Sequence, residues 1–147
     1  MEDLSSSRLS RFGDHRRYPV LVKRMMIRDA LSQMMKSNDR TQCDLEGGAY
    51  CASFEIPPTG EPWIQAKIGV INIHFPFERP PNVIFAENEL EISSSMAFPA
   101  WESRKFATVT FDNLTADDYA AFVDKLFRKL FGLPPDYTVN TDIFDIR

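Results

Sequence analysis

Apolar positions along the chain fall into runs of two different periods. After Pro19, the run VLVKRMMIRDALSQMMK repeats at helical spacing with no Gly or Pro inside, which predicts a helix. Leu21, Met25, Arg28 and Ser32 share one stripe, and Val20, Ile27, Leu31, Met34 and Met35 form a broader, more apolar one. A Met-rich face of this kind suits core packing or a groove for a partner helix. SNDRTQCDLEGG ends the helix. In AYCASFEI, Tyr50, Ala52, Phe54 and Ile56 then point one way and Cys51, Ser53 and Glu55 the other, as in a half-buried strand. PPTGEP is a stiff turn, because prolines fix φ and Gly60 permits reversal. Within WIQAKIGVINIHF the parity switches. Ile64, Ala66 and Ile68 keep one phase, Ile71, Ile73 and Phe75 the other, and Gly69 at the switch predicts a bulge or burial on two faces. NVIF and RKFATVTF read as further strands, the second with Ala107, Val109 and Phe111 on one face.

The last periodic run is a helix with both ends marked. Thr115 is the expected N-cap, with Asp118 three residues on in an acidic variant of the capping box. Tyr119, Phe122, Val123, Leu126, Phe127 and Leu130 recur at helical spacing, Lys125, Arg128 and Lys129 suit the negative end of the dipole, and Gly132 and Pro134 stop the helix. The pattern therefore predicts an α+β fold: an N-terminal helix, an antiparallel β-meander, a proline corner, a long loop and a C-terminal helix. The expected domain is 18–133, behind a basic, flexible arm (1–17) and ahead of an acidic tail (134–147). Ile143, Phe144 and Ile146 in that tail suit packing back on the domain, a docking peptide, or the start of a longer region.

Composition narrows the class. With 147 residues, 44% hydrophobic and 26% charged, the chain fits one globular domain and excludes a collagen, a wholly disordered chain and a disulfide-stapled mini-protein. Two cysteines and two histidines are too few for a cysteine-rich zinc site. No apolar run approaches a membrane span, and the N-terminus lacks an apolar signal region, so the expectation is a cytoplasmic or nuclear protein with reduced thiols and no membrane partner. Charge is uneven. Residues 1–28 carry seven basic and three acidic groups (+4), and the rest carry ten and eighteen (-8). No aromatic is interleaved with the arginines in a way that suggests base stacking, so the expectation is a solvated arm that docks on its own domain or a neighbour rather than a nucleic-acid surface.

Residues 73–85, IHFPFERPPNVIF, form a strand followed by a corner that Pro76, Pro80 and Pro81 hold in a fixed shape. This run resembles the aromatic-Pro-x-x-x-Pro-Pro element of ubiquitin-conjugating enzymes and the related RWD domains. Phe75, Pro76, Pro80 and Pro81 match that element, and Val83 and Phe85 match the strand that follows it. The resemblance covers roughly residues 20–131 and implies a ubiquitin-conjugating-enzyme-like fold. In active members a His-Pro-Asn element and then the catalytic cysteine follow. Here AENELEISSSMAFPAWESRKFA contains neither His nor Cys, and both Cys43 and Cys51 precede the corner. The resemblance therefore implies an inactive member. Trp63-Ile64, the acidic 86–89 stretch and the Trp101-containing loop further resemble the ubiquitin-conjugating-like domains of the BRISC scaffold subunit BRE, which hold a deubiquitinase assembly together.

Enzymatic readings have little in the sequence to carry them. His15 and His74 lack ligand spacing, there is no glycine-rich phosphate loop, and Glu87, Glu89 and Glu91 read as a solvated acidic stretch. A Cys51–His74 pair across the sheet is the remaining nucleophile arrangement. Binding is the stronger expectation. Met96, Phe98 and Trp101 suit either a lid over the sheet or an interface anchor, and Trp63 has the same two uses. The expected role is a non-catalytic scaffold or adaptor without cofactor, metal or small-molecule substrate. Its expected partners are proteins of a multi-subunit, ubiquitin-pathway complex, with ubiquitin itself a candidate. The alternative is an RWD-like interaction or dimerisation module outside ubiquitin biology.

Overall fold

A computed structural model describes residues 19–40, 50–112 and 114–145. The arm 1–17, His15 and Cys43 lie outside the described residues. The elements are α1 (Pro19–Arg40), β1 (Tyr50–Glu55), β2 (Trp63–Lys67), β3 (Val70–Phe75), α2 (Pro81–Glu87), β4 (Ala97–Glu102), β5 (Lys105–Thr110), α3 (Ala116–Lys125) and β6 (Asn140–Asp145). A π-helical turn, Leu126–Leu130, extends α3. The architecture is mixed α+β: an antiparallel sheet ordered β4-β5-β3-β2-β1-β6, with α1 ahead of the sheet strands in sequence and α3 between β5 and the final strand β6.

The parity switch at Gly69 is a turn rather than a bulge. Gly69 has φ +76, which a residue without Cβ adopts freely, and it closes the β2–β3 hairpin. The reversal places Ile64 opposite Ile73 and Ala66 opposite Ile71, so two runs of opposite sequence phase share one buried face. β5 adds Ala107 opposite Ile73 and Val109 opposite Ile71, and β1 adds Ala52 and Phe54. Ile27, Leu31 and Met34 of α1 and Tyr119, Val123, Leu126 and Phe127 of α3 and its extension complete the core.

NVIF is helical, not a strand, so Val83 and Phe85 lie on α2. Pro80 caps the helix and Pro81 opens it, where a missing N–H costs nothing and φ is already set. Ile84 and Phe85 are buried beneath it. The strand next to β3 is instead β5, and the long loop contains β4, which Pro99 and a register shift between Ala97 and Ala100 conceal from a period-two pattern. The tail packs back: β6 pairs with β1 from Tyr50–Asp145 to Glu55–Asn140. With strands on both sides, β1 buries Cys51 and Ser53 as well as Ala52 and Phe54, so it is not half-exposed.

Buried polar groups join the elements. The Tyr119 hydroxyl donates to the Lys67 carbonyl at 2.7 Å and lies 3.3 Å from that of Val70, tying α3 to the β2–β3 turn. Burial pushes this phenol well above its ordinary range. Asn38 brackets Tyr50, donating to its carbonyl at 3.2 Å and accepting from its N–H at 3.0 Å, which joins the end of α1 to the start of β1. Asp124, nearly inaccessible, accepts from the Tyr137 hydroxyl at 2.8 Å and pairs with Arg128 at 3.1 Å. The Thr115 hydroxyl accepts from the Asp118 N–H, as an N-cap does.

Tyr119→Phe keeps the ring and removes the hydroxyl's hydrogen bond to the turn, and Asn38→Ala removes the side-chain partner of both Tyr50 backbone groups. Each is expected to lower stability by about 1–3 kcal/mol, read from urea midpoints at unchanged m-value.

Candidate interaction surface

The proline corner supports a block of aromatic rings. Phe75, fully buried, meets Phe77 edge-on at 5.1 Å and Trp101 at 6.0 Å, and Phe85 meets Phe98 at 5.2 Å. Such edge-to-face pairs add to the burial itself. Trp101 lies opposite Ala107 in the β4–β5 register, which sets it on the core side of the sheet. β4 is the outermost strand there, and Trp101 stays 37% exposed. Met96 and Phe98 are half-buried against the core. The structure thus brings Met96, Phe98 and Trp101 onto one edge but divides their roles: the first two close the core, and Trp101 both packs and presents surface.

The corner is braced from two directions. Arg79 reaches across α2 to Glu87 through two 2.6 Å contacts, a bidentate pair. The Glu78 carboxylate pairs with Arg104, and the Glu78 carbonyl accepts from the Ser103 hydroxyl at 3.1 Å. The Arg104 N–H also donates to the Phe77 carbonyl at 3.0 Å. These contacts seat the β4–β5 turn on the corner, with Arg104 held at φ +64. Pro76 and Pro80 are exposed and Pro81 is buried.

Trp63 belongs to a different place. Its neighbour Ile64 faces the core, so Trp63 faces away from it. There its ring meets His74 at 5.9 Å, and His74 lies 6.2 Å from the Phe131 ring. β3 and β5 separate β2 from β4, so the two tryptophans do not form one surface. Cys51 and His74 are not paired either. His74 adjoins Trp63, which pairs with Glu55, whereas Cys51 lies four residues back along β1, about 13 Å away at strand spacing. Cys51 is buried, and burial raises its thiol pKa, contrary to what a nucleophile needs. Among the described residues no His, Cys, Asp or Glu cluster could hold a metal ion, and no helix is long and apolar enough to cross a membrane.

A groove of about 420 Å³ opens beside β4, between the α2–β4 loop and α3. Its floor is Leu90, Met96, Phe111, Leu114 and Phe122, and its rim carries Glu91, Asp112, Asp118 and Lys125. The apolar periodicity of residues 119–127 marked Phe122 as core. Leu90 and Leu114 carried no pattern, because only the fold brings their loops together.

Comparison of the chain with protein-family models, with curated proteins and with solved structures gives no match.

Two predictions follow from this geometry. In Cys43→Ser protein, Cys51 is expected to resist iodoacetamide at neutral pH and to alkylate rapidly once urea unfolds the chain; rapid native labelling would place an accessible thiolate there. Hydrogen bonding from Arg79 holds the Glu87 carboxyl below its ordinary 4.5. The pair therefore supports the corner at neutral pH and loses that support as pH falls through the lowered value. Arg79→Ala should move the Glu87 NMR titration back up towards 4.5.

Proposed function

We propose that the chain is a non-catalytic adaptor domain of a protein assembly in the cytoplasm or nucleus, and that it engages its partner along β4. The observation that carries this reading is Trp101. It is a large aromatic side chain packed edge-on against Phe75 yet 37% exposed, on a strand at the end of the sheet. A preorganised tryptophan with an exposed face suits a binding hot spot, since little side-chain entropy remains to be lost on docking. Support for the absence of catalysis comes from the segment after the corner, where α2 and the loop beyond it carry neither His nor Cys, and from the burial of Cys51.

The sequence of the corner favours a place among inactive ubiquitin-conjugating-like domains, acting as a scaffold in a ubiquitin-pathway complex. The second reading is an RWD-like interaction module outside that pathway; the helix α2, where the resemblance implies a strand directly after the corner, departs from both readings alike.

Affinity capture by the intact chain, read by mass spectrometry, tests the proposal. Trp101→Ala is expected to weaken the captured interaction about tenfold or more while the variant remains folded. Unchanged binding by folded Trp101→Ala protein would remove β4 as the docking edge. Titration of labelled ubiquitin separates the two readings: localised shifts at the β4 edge favour the ubiquitin pathway, and a captured partner without such shifts favours the other module. A reducible ubiquitin adduct formed with activating enzyme would overturn the non-catalytic assignment.

A further inference from the structure

The groove between the α2–β4 loop and α3 combines an apolar floor with an acidic rim. Glu91, Asp112 and Asp118 outnumber Lys125, a local charge of -2. All four rim groups are exposed, whereas Leu90 is buried and Met96, Phe111 and Phe122 are half-buried. A ligand matched to this surface has apolar side chains for the floor and cations beside them.

Residues 8–17, RLSRFGDHRR, have that composition. Leu9 and Phe12 are three apart, Arg8 and Arg11 flank them at the same spacing, and four arginines against Asp14 give +3. We propose that this N-terminal segment docks in the groove of its own chain, with Leu9 and Phe12 on the floor and Arg8 and Arg11 against Asp112 and Asp118.

Chain length permits it. The Arg28 guanidinium pairs with Asp117 at 2.6 Å, which holds the middle of α1 against the first turn of α3, next to the Asp118 rim. Nine residues of helix separate Arg28 from Pro19, about 14 Å at the helical rise. Seven residues of extended chain carry Phe12 up to about 24 Å beyond Pro19. The groove therefore lies within the segment's reach, and tethering gives a local concentration that a separate peptide would lack. Opposed charges also predict sensitivity to salt. The docking is independent of the β4 proposal, although both surfaces adjoin Met96.

The test places p-benzoylphenylalanine at Phe12 in the full chain and maps the photo-crosslinks by mass spectrometry. Intramolecular adducts at Met96, Phe111 or Phe122, with a yield that falls several-fold in 0.5 M salt, are expected. Asp112→Lys with Asp118→Lys should cut the yield at least threefold, and Arg8→Glu with Arg11→Glu in the same chain should restore it. All four positions are charged groups whose replacement leaves the apolar core intact, and circular dichroism confirms folding. Adducts confined to other parts of the chain, adducts only between chains at low protein concentration, or a yield indifferent to the charge swap would each overturn the proposal.

Discussion

The hydroxyl of Tyr119 on the β2–β3 turn is the contact on which the rest of the structure depends. Side chains alternate along a strand, so a slip of one residue would turn Ile71, Ile73 and Phe75 away from the core. The Ile68–Gly69 turn sets the register of β2 with β3, and Tyr119 donates to the Lys67 carbonyl beside that turn, with the Val70 carbonyl 3.3 Å away on its other side. The same residue belongs to α3 and is itself fully buried. One group thus ties the helix to the hairpin whose turn sets the register, and the buried phenol has no solvent alternative for its hydrogen bond.

From β3 the order propagates through the corner. Phe75 ends the strand inside the core, and the prolines after it limit the directions the chain can take. Pro80 and Pro81 start α2 with its Phe85 under Phe98, and the Glu78 contacts seat the β4–β5 turn. β4 buries little of its own surface, so its position rests on its pairing with β5 together with these rings and ion pairs. That dependence explains how a tryptophan can be packed and partly exposed together, a combination suited to recognition.

The two ends of the sheet are finished differently. At one, Pro99 and the register shift in β4 interrupt the outer hydrogen-bonding row, which discourages uncontrolled strand pairing while leaving Trp101 presented. At the other, β6 covers β1 and carries the exposed Asp142, a charge that protects an outer strand. Covering β1 also encloses Cys51, so one strand addition at the edge removes the only described thiol from solvent-facing chemistry.

Local chemistry by itself determined α1, β1, β5 and the capped α3, because periodic apolar positions and a Thr115 cap act within a few residues of chain. It also marked Gly69 as a special position and Met96, Phe98 and Trp101 as apolar residues needing a place. Only tertiary structure decided what each became. Gly69 is a turn because the two phases of Ile64 and Ile71 must meet on one face. NVIF is helical because Ile84 and Phe85 are buried together from a helix that Pro81 opens, overriding the strand preference of Val and Ile. The groove joins loop residues 90–96 to Phe111 and α3, and no local pattern encodes an encounter between segments so far apart in sequence. Asn38 shows the same limit: its side chain reads as an ordinary polar helix-end residue until Tyr50 is folded against it.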